Sequence, residues 1–215
     1  MADLAALAIG YLIGSILPAL LIGRASGVDI RSVGTRNPGA TNTWSELGPG
    51  RGMVVLVFDL GKGVAAVWIA HLIGADPLFV YGAGLMAVVG HRFPLYARFR
   101  GGEGVGASSG LMLFSVGVAL QRSWLSPVTF TALAIAALVV FLVWRRGPVV
   151  AVFVLPVLGA LLLVHGDAAY RIFTLLPMAN IWLINVRNVQ REHLLLTPRG
   201  LGATRDTPRG RTLHR

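Results

Sequence analysis

Apolar residues fill this chain in long blocks, and polar residues collect at the joints between them. Seven apolar stretches can be read, at 4–23, 53–74, 78–95, 105–120, 125–144, 148–164 and 170–186. Most approach the ~20 residues that an α-helix needs to cross a hydrocarbon core. The fourth is the weakest, being short and rich in glycine and serine. Pro18, Pro94, Pro156 and Pro177 interrupt several of the stretches, which membrane helices tolerate because neighbours satisfy the freed backbone groups. The first stretch starts at residue 4 with no basic segment before it and is followed by further spans. It reads as a retained helix, not a cleaved signal. The pattern predicts an all-α integral membrane protein of about seven transmembrane helices.

Composition strengthens that reading. The chain has 215 residues, of which 55% are hydrophobic and only 13% charged, with a mean hydropathy of +0.71. A soluble domain of this size would carry more charge. The net charge of +10 does not argue for nucleic acid here, because basic residues on a membrane protein set topology or touch anionic lipid. The expected partner is therefore the lipid bilayer, with no nucleic acid. There are no cysteines, which excludes disulfides and thiolate metal sites. Lys62 is the only lysine among 19 basic residues.

The arginines are distributed unevenly. Residues 24–52 hold Arg24, Arg31, Arg36 and Arg51, the next joint on that side holds Arg98 and Arg100, and a later one Arg145 and Arg146. Seven more follow from Arg187 onward, whereas the opposite face has Arg122 and Arg171. The positive-inside rule then puts the N-terminus outside and the C-terminus in the cytoplasm, a parity that seven spans satisfy. Residues 1–190 read as a single membrane domain. The remainder, 191–215, reads as a basic cytoplasmic tail with little to bury, expected to be disordered.

Polar residues cluster on the cytoplasmic side. The segment 25–52 is long for a joint and holds Thr35, Asn37, Thr41 and Asn42 between Gly34 and Gly39. Hydroxyls, amides and glycine N–H groups suit phosphate or glycerol oxygens, and equally they can satisfy a re-entrant loop's own backbone. Asp59 and Lys62 lie three apart in an apolar span and share a helix face. At that depth they are either functional or a structural ion pair. His91 stands at the cytoplasmic end of the third span, near the glycine-rich "FRGGEGVG" of 99–106. It is a candidate for binding or proton transfer. Two local patterns are coincidental. "GEGVGA" at 102–107 lacks the strand of a dinucleotide fold. His71 and Asp76, in "HLIGAD", fit an acyltransferase spacing but fall on the external side.

Taken in order, the cytoplasmic clusters resemble the acyl-phosphate-dependent glycerol-3-phosphate acyltransferases, the PlsY family. "GTRNPGATNTW" is similar to the family's "GSGNxGATN" loop, "DLGKG" to its "DxxKG", and "VGHRFPLYARFRGGEGVGASSG" to "GHxFPxxxxFKGGKGVATxxG". Near the end, "NVQR" resembles "HRxNIxRL". The resemblance implies a bacterial inner-membrane, multi-pass enzyme that moves a fatty acyl group from acyl phosphate to the 1-hydroxyl of glycerol 3-phosphate. It implies no cofactor and no metal. The residues it points to as catalytic are Asn37, Lys62 and His91. As substrate-binding it points to Thr35, Thr41, Asn42, Arg100, Gly101, Gly102, Glu103, Asn185, Asn188 and Arg191.

The departures share a theme. The family's arginine after "ATN" is Ser45, the lysine of "GGKG" is Glu103, and the histidine of the last motif is Asn185. The family pattern implies that these three hold a phosphate dianion. Opposite unit charges ~4 Å apart attract by about 4 kcal/mol at an effective dielectric near 20, so reversing one sign matters. Arg36, Arg100 and Arg187 are the candidates to neutralise Glu103. Without that, the alternative is a lipid-binding, transport or regulatory relative, or an enzyme acylating a different alcohol. A protein partner supplying the missing charge stays open.

Overall fold

The computed structural model describes residues 1–144, 147–164 and 168–192, so Arg145, Arg146 and the tail beyond Glu192 lie outside the described residues. The described residues form helices α1 (Ala2–Ser15), α2 (Pro18–Ala25), α3 (Ala40–Leu47), α4 (Pro49–Leu72), α5 (Pro77–Arg92), α6 (Val105–Gln121), α7 (Pro127–Trp144), α8 (Gly147–Leu163) and α9 (Ala168–Glu192). A single 3₁₀ turn spans Leu95–Ala97, and no strand occurs among the described residues. Every predicted apolar stretch contains a helix. Four segments are long and apolar enough to cross a membrane: Ala2–Ala25, Pro49–Leu72, Pro77–Ala97 and Ala168–Gln190. The apolar helices Val105–Gln121, Pro127–Val140 and Ala151–Leu162 are shorter.

Two elements differ from the sequence reading. The first stretch is broken at Ile16–Leu17, because Pro18 has no N–H to give the carbonyl of Gly14 and its ring opposes a continuous helix. The long 25–52 segment is also not all loop. It contains α3, and α4 begins at Pro49. Gly48 joins them with a φ of +93°, a conformation side-chain-bearing residues avoid.

Helices α1 and α5 meet through small residues. Gly10 faces the backbone of Ala83, and Gly14 that of Ala87, the close approach that drives association in lipid. Around that pair, Ala66, Val67, Leu111 and Phe173 form the main core, with Tyr81 stacked on Phe173 at 4.9 Å between ring centroids. The weak fourth stretch forms a full helix because its small residues pack. Gly110 lies against the Leu60 backbone and Gly106 against Asp59. One end of the bundle carries the chain start and the α4–α5 joint, where Asp76 N–H donates to Asp3 at 2.9 Å. The other end carries the 25–39 loop, the 93–104 loop and the end of α9.

Candidate functional site

The helix break at Pro18 creates the first part of the site. The unpaired carbonyls of Gly14 and Ile16 accept from the Lys62 ammonium at 3.4 and 3.0 Å. Lys62 Nζ also lies 2.8 Å from Asp59 Oδ1 and 2.9 Å from His91 Nδ1. The three side chains belong to residues only 2, 6 and 2% exposed (Asp59, Lys62 and His91). Lys62 Nζ has three protons for these four neighbours; in the tautomer where Nδ1 accepts one of them, the imidazole proton sits on Nε2. Within the trio the Asp59 carboxylate and the Lys62 ammonium pair at 2.8 Å, the arrangement that burial of opposite charges demands.

The Nε2 side of His91 faces the glycine loop. A Cβ on Gly102 would meet Nε2 at 2.5 Å and Asn37 Oδ1 at 3.0 Å. The loop is pinned there by Gly102 N–H donating to the His91 carbonyl at 3.1 Å and Gly101 N–H to that of Arg92 at 3.2 Å. Asn37 ties it to the first loop. Its Oδ1 accepts from Glu103 N–H at 3.2 Å and its Nδ2 donates to the Glu103 carboxylate at 3.3 Å. Asn180 adds a second tether, donating to the Glu103 carbonyl at 3.2 Å and to Ser108 Oγ at 3.0 Å. Asn42 is buried and holds the 30–35 loop together. It accepts from Thr35 N–H at 2.9 Å and donates to the Ile30 and Val33 carbonyls at 2.9 and 3.2 Å.

These residues surround a cavity of about 420 Å³. Thr35, Asn37, Thr41, Asn42, Asp59, His91, Glu103, Asn185 and Asn188 line it, together with Ser109. So do Gly39–Thr41 and Gly104–Gly106, which are the first residues of α3 and α6. First-turn amides have no intrahelical acceptor, and the helix dipole makes such ends electropositive. Two helix N-termini therefore converge on one polar cavity, a geometry that favours an anion.

Other candidates are placed elsewhere. Lys62 stands behind the cavity wall, in the buried trio. Gly101 and Gly102 anchor the loop to the end of α5 and do not line the cavity. Arg100 opens into a separate pocket with Arg24, Arg31 and Arg98. Asn185 lines the cavity while its amide donates to Ile181 at 2.7 Å. The Arg191 side chain lies outside the described residues. Among the described residues Glu103 forms no ion pair with Arg36, Arg100 or Arg187; its carboxylate is held by the Asn37 amide instead. His71 lines a cavity at the opposite end of the bundle. Sequence reasoning passed over Asn180 and Ser109. An amide inside the apolar run "PMANIW" was the available signal for the first.

Residues 4–193 match the family model described as glycerol-3-phosphate acyltransferase. The chain belongs to this family. The glycerol-3-phosphate acyltransferase of Exiguobacterium sibiricum is 44% identical over 135 residues, covering 61% of this chain and 59% of that protein. The glycerol-3-phosphate acyltransferase 1 of Deinococcus radiodurans is 40% identical over 161 residues, covering 75% and 76%. The Legionella pneumophila (strain Corby) member is 42% identical, and the match spans 46% of its length. The family fold is also shared with the crystal structure of PlsY, an integral membrane glycerol 3-phosphate acyltransferase, in its glycerol 3-phosphate form. That comparison gives a TM-score of 0.71 at 27% identity over 94% of this chain and 96% of the other. The lysophosphatidic acid form of PlsY gives a TM-score of 0.65 at 24% identity.

Proposed function

We propose that this membrane protein transfers a fatty acyl group from acyl phosphate to the 1-hydroxyl of glycerol 3-phosphate, releasing lysophosphatidic acid and phosphate. The observation that carries the reading is the polar cavity between the α3 and α6 N-termini, in a chain of this family. The acceptor oxygen attacks the acyl carbon, the acyl–oxygen bond to phosphorus breaks, and the hydroxyl proton passes to the departing phosphate. Because the donor is already activated, no protein nucleophile is required. Catalysis rests on positioning and charge stabilisation.

The roles follow from the geometry. The first-turn amides of α3 and α6 hold phosphate oxygens, aided by Thr35, Thr41, Asn185 and Asn188. His91, oriented by Lys62 and Asp59, offers its Nε2–H as a fixed donor. Asn37 and Asn180 set the loop that carries Glu103. The cavity draws on helix ends and neutral donors because no arginine or lysine lines it among the described residues. In this reading the cavity end faces the cytoplasm of a bacterial inner membrane, with seven spans and residues 1–190 as one domain. The described bases support it: Arg24, Arg31, Arg36, Arg51, Arg98, Arg100 and Arg187 belong to the cavity end, against Arg122 and Arg171 at the other.

The test is lysophosphatidate formation by purified protein from acyl phosphate and labelled glycerol 3-phosphate. Turnover that falls at least ~100-fold in His91→Ala is expected for a preorganised electrostatic donor. Intact acyl phosphate and no product with the natural chain would overturn the reading.

A further inference from the structure

A second pocket of about 420 Å³ shares no lining residue with the cavity. Its wall is formed by Arg24 from α2, Asp29 and Arg31 from the following loop, and Tyr96, Arg98 and Arg100 from the α5–α6 joint. Four guanidinium groups face one carboxylate. Asp29 is already engaged, accepting from Arg31 Nε at 3.2 Å and from its backbone N–H at 3.0 Å. Arg98 and Arg100 form no ion pair among the described residues, and neither does Arg24, although its charge acts on Asp29. Like charges gathered in this way repel one another, and an anion between them relieves that repulsion.

The loop that presents two of these arginines is held in an unusual shape. Arg98 and Phe99 are consecutive non-glycine residues at φ of +54° and +59°, a conformation that persists only where surrounding structure enforces it. Here the enforcement is visible. Phe99 N–H donates to the Pro94 carbonyl at 2.9 Å and Arg100 N–H to that of Ala97 at 3.1 Å. The same loop exposes a row of apolar groups beside the pocket: Phe93, Leu95, Tyr96 and Phe99 are 51, 46, 61 and 58% exposed. Aromatic and aliphatic side chains at the end of a span belong to the headgroup level of a bilayer. A cationic pocket edged by such groups meets molecules that carry an anionic head and a hydrocarbon tail.

We infer that this pocket binds the phosphate monoester head of a membrane lipid, with Arg24, Arg98 and Arg100 on the phosphate oxygens and Phe93 and Phe99 against the acyl chains. Arginine suits this task because its planar fork takes two phosphate oxygens at once. A dianionic monoester matches three unpaired guanidinium groups better than the single charge of a phosphodiester does. The site shares no lining residue with the cavity, and its occupancy is measurable whether or not acyl transfer is observed.

The experiment reconstitutes the full chain in phosphatidylcholine nanodiscs doped with phosphatidate, and counts retained lipid by native mass spectrometry. Phosphatidylglycerol at matched charge and free inorganic phosphate form separate arms. Each arginine near an anionic head is worth about five-fold in affinity, so Arg24→Gln/Arg98→Gln is expected to lose about 25-fold for phosphatidate. Arg122→Gln, at the opposite end of the bundle, is expected to change nothing. Arg98→Lys keeps the charge but not the fork and should fall between. Thermal unfolding of each variant reports whether the fold is intact. Retention that is equal for phosphatidylglycerol and phosphatidate overturns the inference. So does retention unchanged by the double substitution, or arginine-dependent binding of inorganic phosphate without binding of the lipid. Acyl transfer by the unsubstituted chain is measured in parallel, so a failed lipid site and a failed enzyme reading give different results.

Discussion

Two charged regions of the molecule obey opposite rules. Asp59, Lys62 and His91 are almost wholly buried, Asp59 and His91 showing only an edge to the cavity, and lie within 3.5 Å of one another. Arg24, Arg31, Arg98 and Arg100 surround an open pocket with one carboxylate among them. Burial makes the difference. A charge out of water must be paired where it stands, whereas an interfacial charge can await a ligand. In the proposed reading the buried trio orients one imidazole. The open cluster, in the inference drawn above, receives a group from outside.

The sharpest way to break this contrast is to unbalance the buried trio. Lys62→Met strands the Asp59 carboxylate and the Gly14 and Ile16 carbonyls, and is expected to cost about 3–5 kcal/mol of stability. Asp59→Asn/Lys62→Met should recover much of that loss in thermal unfolding without recovering acyl transfer. Equal destabilisation of the single and double variants would mean that charge balance is not what the trio provides.

Next in size is a change beside the imidazole. Gly102→Ala places a methyl 2.5 Å from His91 Nε2, and the ring or the loop must shift. Displacements of that order cost up to ~100-fold in rate, so kcat should fall steeply while the unfolding temperature moves by little. An unchanged rate would remove His91 Nε2 from the reaction. A smaller effect is expected at Glu103, which is exposed and screened. Glu103→Lys restores a cation beside the cavity and should lower the KM for glycerol 3-phosphate about ten-fold, more at low salt than at high. A raised KM would show that the acceptor's phosphate sits elsewhere. Smallest is Asp29→Asn. The Arg31 hydrogen bonds hold the Asp29 carboxyl below the usual carboxylate range, so it is ionised at neutral pH. Its neutralisation should strengthen retention of phosphatidate by about five-fold, read by the same nanodisc titration.

The sequence carried much of this architecture, and particular residues show where it stopped. The apolar blocks placed each predicted stretch on a helix because a lipid environment leaves few alternatives for uncharged runs of that length. The spacing of Asp59 and Lys62 put both on one face of α4, and that local rule held. What could not be read was tertiary. The break at Pro18 was visible as a proline, but not that its freed carbonyls would meet Lys62, 46 and 48 residues away. For Glu103 the sequence offered Arg36, Arg100 and Arg187 as candidate partners, or an anion pocket given up. Arg100, three residues before Glu103, instead opens on the other pocket, across a left-handed turn at Arg98 and Phe99 that no propensity scale favours. Asn37 took the carboxylate because an amide satisfies both its oxygen and the neighbouring N–H.

The measurement that tests the central claim most directly is the rate of lysophosphatidate formation from acyl phosphate and glycerol 3-phosphate by the purified chain and by His91→Gln. Glutamine keeps an amide donor but cannot be held by Lys62 at the ring position. The account predicts steady turnover by the natural chain and a loss of at least ~100-fold in kcat for the variant, with its unfolding temperature nearly unchanged. Equal rates for the two proteins would contradict the account, and so would the absence of product from the natural chain.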